Sequence, residues 1–303
     1  MSKVKDKIKK LIFKLRLKFC TAFFPQAAII MRYKRNFGRM PDLINPQTLN
    51  EKIINKMLYD RRPILTLVAD KYLVRDYVAS KLCGDQYLIK MYASVDTIAG
   101  IRKLNLPDKF VMKPSHLSGE VKIVVDSKML AKGELEKIAW AWLRRNYYHS
   151  FNEWAYKHIH PRIIFEEMLE FDGKIPDDYK FFCFNGEPRF IQLVKSGRVK
   201  RPTNFYDLNF SLLPVKLLSG NFYEKIEIPK NYALMLEIAR KLSAGFDFIR
   251  VDLYNVNGRI FFGELTNYPN GGAFRFNPSL WDVEFGKYWD YNFSIKNYPH
   301  RNS

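Results

Sequence analysis

Arg250-Val-Asp-Leu-Tyr254, followed after a short turn by Phe261-Phe-Gly-Glu-Leu-Thr266, is the stretch whose reading decides the fold. It reads as a β-hairpin with charge set into apolar strands. Asn255-Val256-Asn257-Gly258 is the turn signal, and its glycine suits a position with φ > 0. A three-residue loop at Val256, Asn257 and Gly258 pairs Asn255 with Arg259, Arg250 with Glu264 and Asp252 with Phe262. One face then carries Arg250, Asp252, Phe262, Glu264 and Thr266, and the other carries Ile249, Val251, Leu253, Phe261 and Leu265. A two-residue loop at Asn257-Gly258 slips the register by one and puts Asp252 and Glu264 on opposite faces. The apolar pattern favours the longer loop. Two carboxylates and an arginine on one face suit a divalent metal or a phosphate; a cross-strand salt bridge on a solvated face uses the same residues.

Working outward, composition sets the bounds. The 303 residues suffice for one large core or two to three subdomains. Apolar content of 47% and aromatic content of 16% exclude a disordered chain. Cys20, Cys83 and Cys183 are odd in number and lack metal-ligand spacing, which excludes a disulfide scaffold and a zinc site. No stretch approaches the roughly 20 apolar residues of a membrane span. A cytoplasmic protein is expected.

The net charge is +19, from 50 Lys+Arg against 31 Asp+Glu. Residues 1–35 hold eleven Lys/Arg and a single acid, Asp6. Within them Val4, Ile8, Leu11, Ile12, Leu15, Phe19, Ala22 and Phe23 recur at three- and four-residue steps, a helical apolar stripe with lysines opposite. Lys14, Arg16 and Lys18 interrupt any signal-peptide core. This basic amphipathic segment is expected to lie on an anionic membrane surface through residues 1–23, each lysine contributing about 1 kcal/mol there. A helix that docks on the body and solvates its charged face is the plainer alternative. No zinc-finger, RRM-like or bZIP signature supports nucleic-acid binding.

The body divides into a mainly helical subdomain, 36–106, and two lobes, about 107–165 and 166–303. Thr48 with Glu51 is a capping box for a helix through Ile53, Ile54, Met57 and Leu58. Pro63 opens a helical pattern that runs through Leu67, Val68, Tyr72, Val74, Tyr77 and Val78. Strands are expected at Phe110–Lys113, Lys122–Val125 and Arg162–Phe165, with a helix near Leu130–Arg145. A hairpin joins Tyr179–Phe184 to Pro188–Val194 through Asn185-Gly186. A strand near Asn204–Asp207 and a helix near Tyr232–Ser243 complete an α+β chain rich in hairpins.

Some local features could carry chemistry. Lys113 ends a strand and meets the small polar loop Ser115-His-Leu-Ser-Gly119, which suits phosphate but lacks Walker A spacing. Glu166 and Glu167 end an apolar strand, so one of the two can face a cleft. Asp178 and Lys180 share a strand face, where a surface ion pair is the plain reading. No Ser-His-Asp or Cys-His arrangement is present.

In this order the motifs resemble the ATP-grasp superfamily, and more narrowly the TupA-like ATP-grasp family, named for teichuronopeptide biosynthesis and found among bacterial surface-polysaccharide genes. The match rests on Asn45-Pro-Gln-Thr-Leu-Asn-Glu-Lys52, Tyr59-Asp60, Asp70-Lys71-Tyr72, Phe110–Lys113, Pro161–Ile164 with Glu166-Glu167, Asp178–Gly186, Asn204–Asp207, Arg250–Tyr254 and Gly263–Thr266. The resemblance implies two α+β lobes whose antiparallel sheets enclose a nucleotide cleft. It implies ATP and Mg²⁺ as cofactors. Lys113, with Ser115, His116, Ser118 and Gly119 of a closing loop, would bind ATP phosphates, and Glu166 or Glu167 would sit at the adenosine. Lys180 would be a second phosphate ligand, Asp252, Glu264 and Asn267 would hold magnesium, and Arg250 would stabilise the acyl-phosphate transition state.

Superfamily chemistry is carboxylate–amine ligation. The expected reaction joins an amino acid to a uronic acid carboxyl of an anionic polysaccharide or lipid-linked glycan, at the inner face of the cytoplasmic membrane. Two rivals are a glycosyltransferase-like enzyme using a sugar nucleotide and an inactive glycan-binding relative. The family's loop reads like Asn-His-Gly-Ser-Gly-Gly, whereas here it is Ser115-His-Leu-Ser-Gly-Glu120. Glu120 would repel phosphates if it pointed inward. Thr266 replaces the superfamily's metal-site asparagine, as also occurs within the family.

Overall fold

The computed structural model describes residues 2–170, 173–196 and 201–290, with side chains from Asp6 onward except that of Lys9. Val4 of the expected stripe and residues 291–303 of the last expected lobe therefore lie outside the described parts. Two helices, Ser2–Phe23 (α1) and Pro25–Phe37 (α2), lead the chain. Leu49–Tyr59 (α3), Pro63–Ala69 (α4) and Val74–Leu82 (α5) follow. The expected capping box starts α3: the Thr48 side chain accepts from the Glu51 amide, and Glu51 accepts from the Thr48 amide, both at 3.1 Å.

The helical pattern opened by Pro63 is not one helix. Asp70 leaves helical geometry at ψ 111°, and its carboxylate accepts from the Tyr72 amide at 2.9 Å. The Lys71 amide donates instead to the Ser115 carbonyl at 3.1 Å. An aspartate bonding its own backbone two residues on competes with the helix, so α4 ends there.

A first sheet contains Met91–Val95 (β1), Phe110–Pro114 (β2), Lys122–Val124 (β3) and Ile163–Glu166 (β4) in the order β1-β4-β2-β3. β1 lies within the stretch 36–106 read as mainly helical, and it pairs antiparallel with β4. Between these strands run the short helices Ile98–Ile101 (α6), Glu134–Leu143 (α7) and Tyr148–Phe151 (α8). Phe110, Met112, Leu117, Val124, Ala139, Trp142, Ile163 and Phe165 form this lobe's core.

A second sheet has the order β7-β6-β5-β8-β9. Its strands are Asp178–Phe184 (β5), Glu187–Val194 (β6), Thr203–Tyr206 (β7), Phe248–Val256 (β8) and Arg259–Thr266 (β9). Helix Tyr232–Ser243 (α9) packs on it, and Leu280–Lys287 (α10) packs on α3. Stacked aromatics such as Phe190 on Phe285, 3.9 Å between ring centroids, fill the core. All strand pairs are antiparallel.

The β8–β9 hairpin corrects the expected register. Its loop has two residues, Asn257 (φ 52°) and Gly258 (φ 77°), and Val256 pairs with Arg259. Both loop residues are left-handed, the primed turn that matches strand twist. Such a loop alone would separate Asp252 from Glu264. A β-bulge intervenes: Leu253 pairs with Phe262, yet Asp252 pairs with Glu264, leaving Gly263 as the extra residue. Asp252 and Glu264 therefore share a face, directly opposite each other. Phe262 joins the core beside Leu253, and Phe261 turns the other way toward Ile89 and Val256, the reverse of the expected assignment.

Candidate nucleotide and metal site

The two sheets face each other across a cavity of about 560 Å³. From the first sheet come Val111 and Lys113 of β2, Ile123 of β3, and Ile164 and Glu166 of β4; from the second come Asp252 and Tyr254 of β8 and Phe262 to Leu265 of β9. Alternation puts Phe110, Met112 and Pro114 into the core and Val111 and Lys113 on the cavity side. Lys71 and Arg75 enter from the break between α4 and α5.

On the second sheet three strands bring their charges into one row. Lys180 of β5 is paired with Asp252 of β8, which is paired with Glu264 of β9. Arg250 grips Asp252 with two bonds, Nε to Oδ1 at 2.6 Å and Nη2 to Oδ2 at 2.7 Å. Lys180 Nζ lies 2.5 Å from Asp252 Oδ2 and 2.7 Å from Asp178. Burial would raise the Asp252 pKa, but Arg250 and Lys180 outweigh it and hold the carboxyl below its ordinary range. Burial wins at Asp178, which is raised. Thr266 Oγ1 accepts from Arg250 at 2.9 Å and donates to Glu264 at 2.7 Å. The threonine that replaces the superfamily asparagine thus orients both partners.

On the first sheet Lys113 lies 2.7 Å from Glu166 Oε2, and Arg75 lies 3.3 Å from the other oxygen. Glu167 also lines the cavity, and it is exposed. Lys71 Nζ donates to the Leu117 carbonyl at 2.6 Å. Burial first, and then the charge of Lys113, lower the Lys71 pKa. The sequence pattern does not mark Lys71 and Arg75 as site residues because their stretch reads as one uninterrupted helix; Asp70, a residue fitted to cap a helix end, is the signal against that reading.

The expected phosphate loop is only partly at the cavity. Gly119, at φ 81°, lines it together with Glu120. Ser115 is fully buried, and its amide donates to the Arg162 carbonyl at 2.8 Å. His116 is buried with Nε2 3.0 Å from the Trp142 carbonyl, and burial lowers its pKa. Ser118 lies against the phenols of Tyr147 and Tyr156. Leu117 is fully buried in the first lobe's core, which explains why an apolar residue stands there. Glu120 is paired with Arg145 at 2.5 Å, so its charge is countered. Lys180 and Arg250 stand behind Asp252 and are not among the cavity-lining residues. Asn267 is turned inward, and its amide donates to the Leu65 carbonyl at 2.9 Å. It follows Thr266, the last residue of β9.

These residues fit Mg²⁺ and ATP. Asp252 and Glu264 supply hard oxygen donors 2 strands wide, and Thr266 engages Glu264 through Oε1. Among the described residues no group of three or more acids, histidines or cysteines is placed to hold a metal ion. A pair of carboxylates could serve magnesium only with waters and substrate phosphate oxygens completing its shell. Lys71, Lys113 and Arg75 supply positive charge, and Val111, Ile123, Ile89 and Leu169 supply apolar walls.

Two antiparallel sheets closed over a cavity of this composition define an ATP-grasp protein. The TupA-like ATPgrasp family model matches residues 51–290, and the chain belongs to that family. Among solved structures the chain is similar to the D-alanine–D-alanine ligase of Bacillus anthracis complexed with ATP, at 15% identity and a TM-score of 0.39 over 68% of this chain and 57% of that one. It is similar to the D-alanine–D-alanine ligase of Helicobacter pylori at 18% identity and a TM-score of 0.39, over 73% and 59%. A third is the ATP-grasp ligase PsnB complexed with a precursor variant, Mg and ADP, at 11% identity and a TM-score of 0.39 over 68% and 52%. The alignments thus span little more than half the length of these ligases. No curated protein matches the chain.

Proposed function

We propose that this protein is an ATP- and Mg²⁺-dependent carboxylate–amine ligase of bacterial cell-surface polysaccharide biosynthesis. The observation that carries the reading is the row Lys180, Asp252 and Glu264, gripped by Arg250 and Thr266, across a cavity from Lys71 and Lys113. In the reaction a substrate carboxylate oxygen takes the γ-phosphoryl of ATP and ADP departs. The amine nitrogen then bonds to the acyl carbon, phosphate leaves, and the nitrogen loses its proton to form the amide. Lys71 and Lys113 hold the phosphates, and Lys113 exchanges its bond to Glu166 for a phosphate oxygen. Asp252 and Glu264 would hold Mg²⁺, which neutralises phosphate charge. Arg250 fixes Asp252 and adds positive charge behind the transferring group. Positioning and charge neutralisation suffice, so no covalent nucleophile on the protein is needed.

The substrates proposed are an amino acid and the uronic acid carboxyl of an anionic polysaccharide or lipid-linked glycan. The leading helix supports a site of action at the inner face of the cytoplasmic membrane. Among the described residues no helix is long and apolar enough to cross a membrane. The stripe on α1 does not pack on the body: Ile8, Leu11, Ile12, Leu15, Phe19 and Phe23 remain 50–68% exposed. Burying such a stripe at an anionic bilayer, with Lys7, Lys10, Lys14 and Lys18 beside it, is favourable.

The test is thermal denaturation with ATP·Mg²⁺ and, separately, with UDP-sugars. The ligase reading expects stabilisation by ATP·Mg²⁺ that vanishes in Asp252→Asn and Glu264→Gln. Stabilisation by UDP-sugars alone sinks it in favour of the glycosyltransferase-like reading.

A further inference from the structure

The first sheet changes character along the cavity. Register sets Ile123 of β3 beside Val111 of β2, and Val111 beside Glu166 of β4, in one row; the next row pairs Lys113 with Ile164. Lys113 leads into the loop that brings Gly119 to the wall, so that end is charged and suits phosphate. The other end is apolar. Ile89 and Leu169 pack together there, where the Glu167 amide donates to the Lys90 carbonyl at 2.9 Å. Val111, Ile123, Ile89 and Leu169 suit a flat aromatic ring, and the buried charged side chain set among them is Glu166.

Glu166 is held from two sides. Lys113 Nζ lies 2.7 Å from Oε2, and Arg75 Nη1 lies 3.3 Å from Oε1. The two cations do not belong to the same body. Lys113 stands on the first sheet beside Glu166. Arg75 comes from α5, whose Val74, Val78 and Leu82 lie in the core of the second sheet with Val251 and Leu265. In the reaction above Lys113 turns to a phosphate oxygen, which releases Oε2. Arg75 then remains to keep the carboxylate at the apolar end, because a charge-assisted bond on one oxygen stops the group from swinging away. An ion-paired carboxylate has acceptors only. Against a purine it matches the exocyclic amino group of adenine. A 6-oxopurine presents a carbonyl instead, acceptor against acceptor, and both groups leave water without a partner.

We propose that Arg75 is a positioning residue for base selection: by anchoring Glu166 through Oε1 it leaves Oε2 to accept from the amino group of adenine, and so separates ATP from 6-oxopurine nucleotides. That role rests on the nucleotide site of the ligase reading. It adds which base is taken, and that a helix outside the first sheet decides it.

The test is isothermal titration of the full-length chain with ATP·Mg²⁺ and with ITP·Mg²⁺, whose base carries an oxygen in place of the amino group. The wild type should bind ATP about tenfold to a hundredfold more tightly, the worth of one hydrogen bond to a charged group. Arg75→Met should weaken ATP more than ITP and shrink the ratio to about threefold or less, and Arg75→Lys should restore most of it. Glu166→Gln, whose amide can turn either its oxygen or its nitrogen to the base, should shrink the ratio similarly. Adding Arg75→Met to it should change the ratio no further. A ratio that survives in Arg75→Met overturns the proposal, because an arginine that only attracts phosphate or only braces the fold weakens both nucleotides alike. A further fall in the double variant overturns it too, since Arg75 would then act other than through Glu166. If Arg75→Met does not fold, Arg75→Gln takes its place in the same comparison. Equal binding of ATP and ITP to the wild type overturns base selection and leaves the ligase reading standing; binding of neither overturns both.

Discussion

Glu153→Gln should stabilise the protein at alkaline pH and leave it nearly unchanged in acid. Burial first, and the charge of Glu264 second, push the Glu153 carboxyl from 4.5 up to about 8, with Arg32 offsetting part of the rise. A raised carboxyl favours the protonated form in the folded state. Its contribution to stability is therefore complete below about pH 4.5, falls as pH climbs toward 8, and stays lost above that. At 1.36 kcal/mol per pH unit the interval amounts to about 5 kcal/mol at most, since water reaching the carboxylate would reduce it. Glutamine has the shape of the protonated acid and cannot ionise. The difference in unfolding free energy between variant and wild type should thus grow by several kcal/mol between about pH 5 and about pH 9. Urea denaturation of both proteins at the two pH values measures it, and titrating groups remote from Glu153 cancel in the comparison. A gap that stays constant with pH, or a wild type that is the more stable at alkaline pH, refutes the reasoning.

Asp252→Asn should cost about 3 kcal/mol at neutral pH, because Arg250 and Lys180 lose their shared counter-charge. The Asp252 pKa is depressed, so that stability is present at neutral pH and lost in acid; the gap should close as pH falls, as read by urea denaturation. Gly263→Val places a Cβ 3.1 Å from both the Asp252 carbonyl oxygen and the Tyr254 ring. It should destabilise by about 1–3 kcal/mol and abolish ATP·Mg²⁺ stabilisation, and an unchanged ATP response would show that the bulge is dispensable. Leu15→Glu with Phe19→Glu should release the protein from anionic vesicles in a sedimentation assay without lowering its melting temperature, since both side chains are exposed.

The sequence revealed the faces of the decisive hairpin better than its turn. Alternating apolar residues required Arg250, Asp252 and Glu264 to converge, because the alternative exposes a whole strand face. Loop length was not legible from Asn257-Gly258, since a glycine at the fifth residue of β9 could restore the phase and nothing local distinguishes a bulge glycine from any other. Lys113 and Glu166 were legible as strand-end charges. Lys71 was not, because a helical period continues through the break that exposes it. Glu153 left no trace in the pattern: its burial depends on Arg32, which stands 121 positions earlier in the chain and anchors the residues just before it. Asn267 has the expected chemistry, and its side-chain amide is bonded to the Leu65 carbonyl.

The seating of Leu117 changes how this cleft can move. A glycine-rich flap can swing by itself, like a hinged cover. Here the crown of the loop is bolted at two points, with the Leu117 side chain fully buried in its own lobe and its carbonyl held by Lys71 at 2.6 Å. Swinging the loop alone would lift a leucine out of the core, which costs about 2 kcal/mol before any bond is broken. The stiffer route is for the whole β1-β4-β2-β3 lobe to tilt as a plate, carrying Lys113 and Gly119 together toward Asp252 and Glu264. Under the ligase reading, grip on a nucleotide would then depend on the angle between the two lobes rather than on the pliancy of one loop.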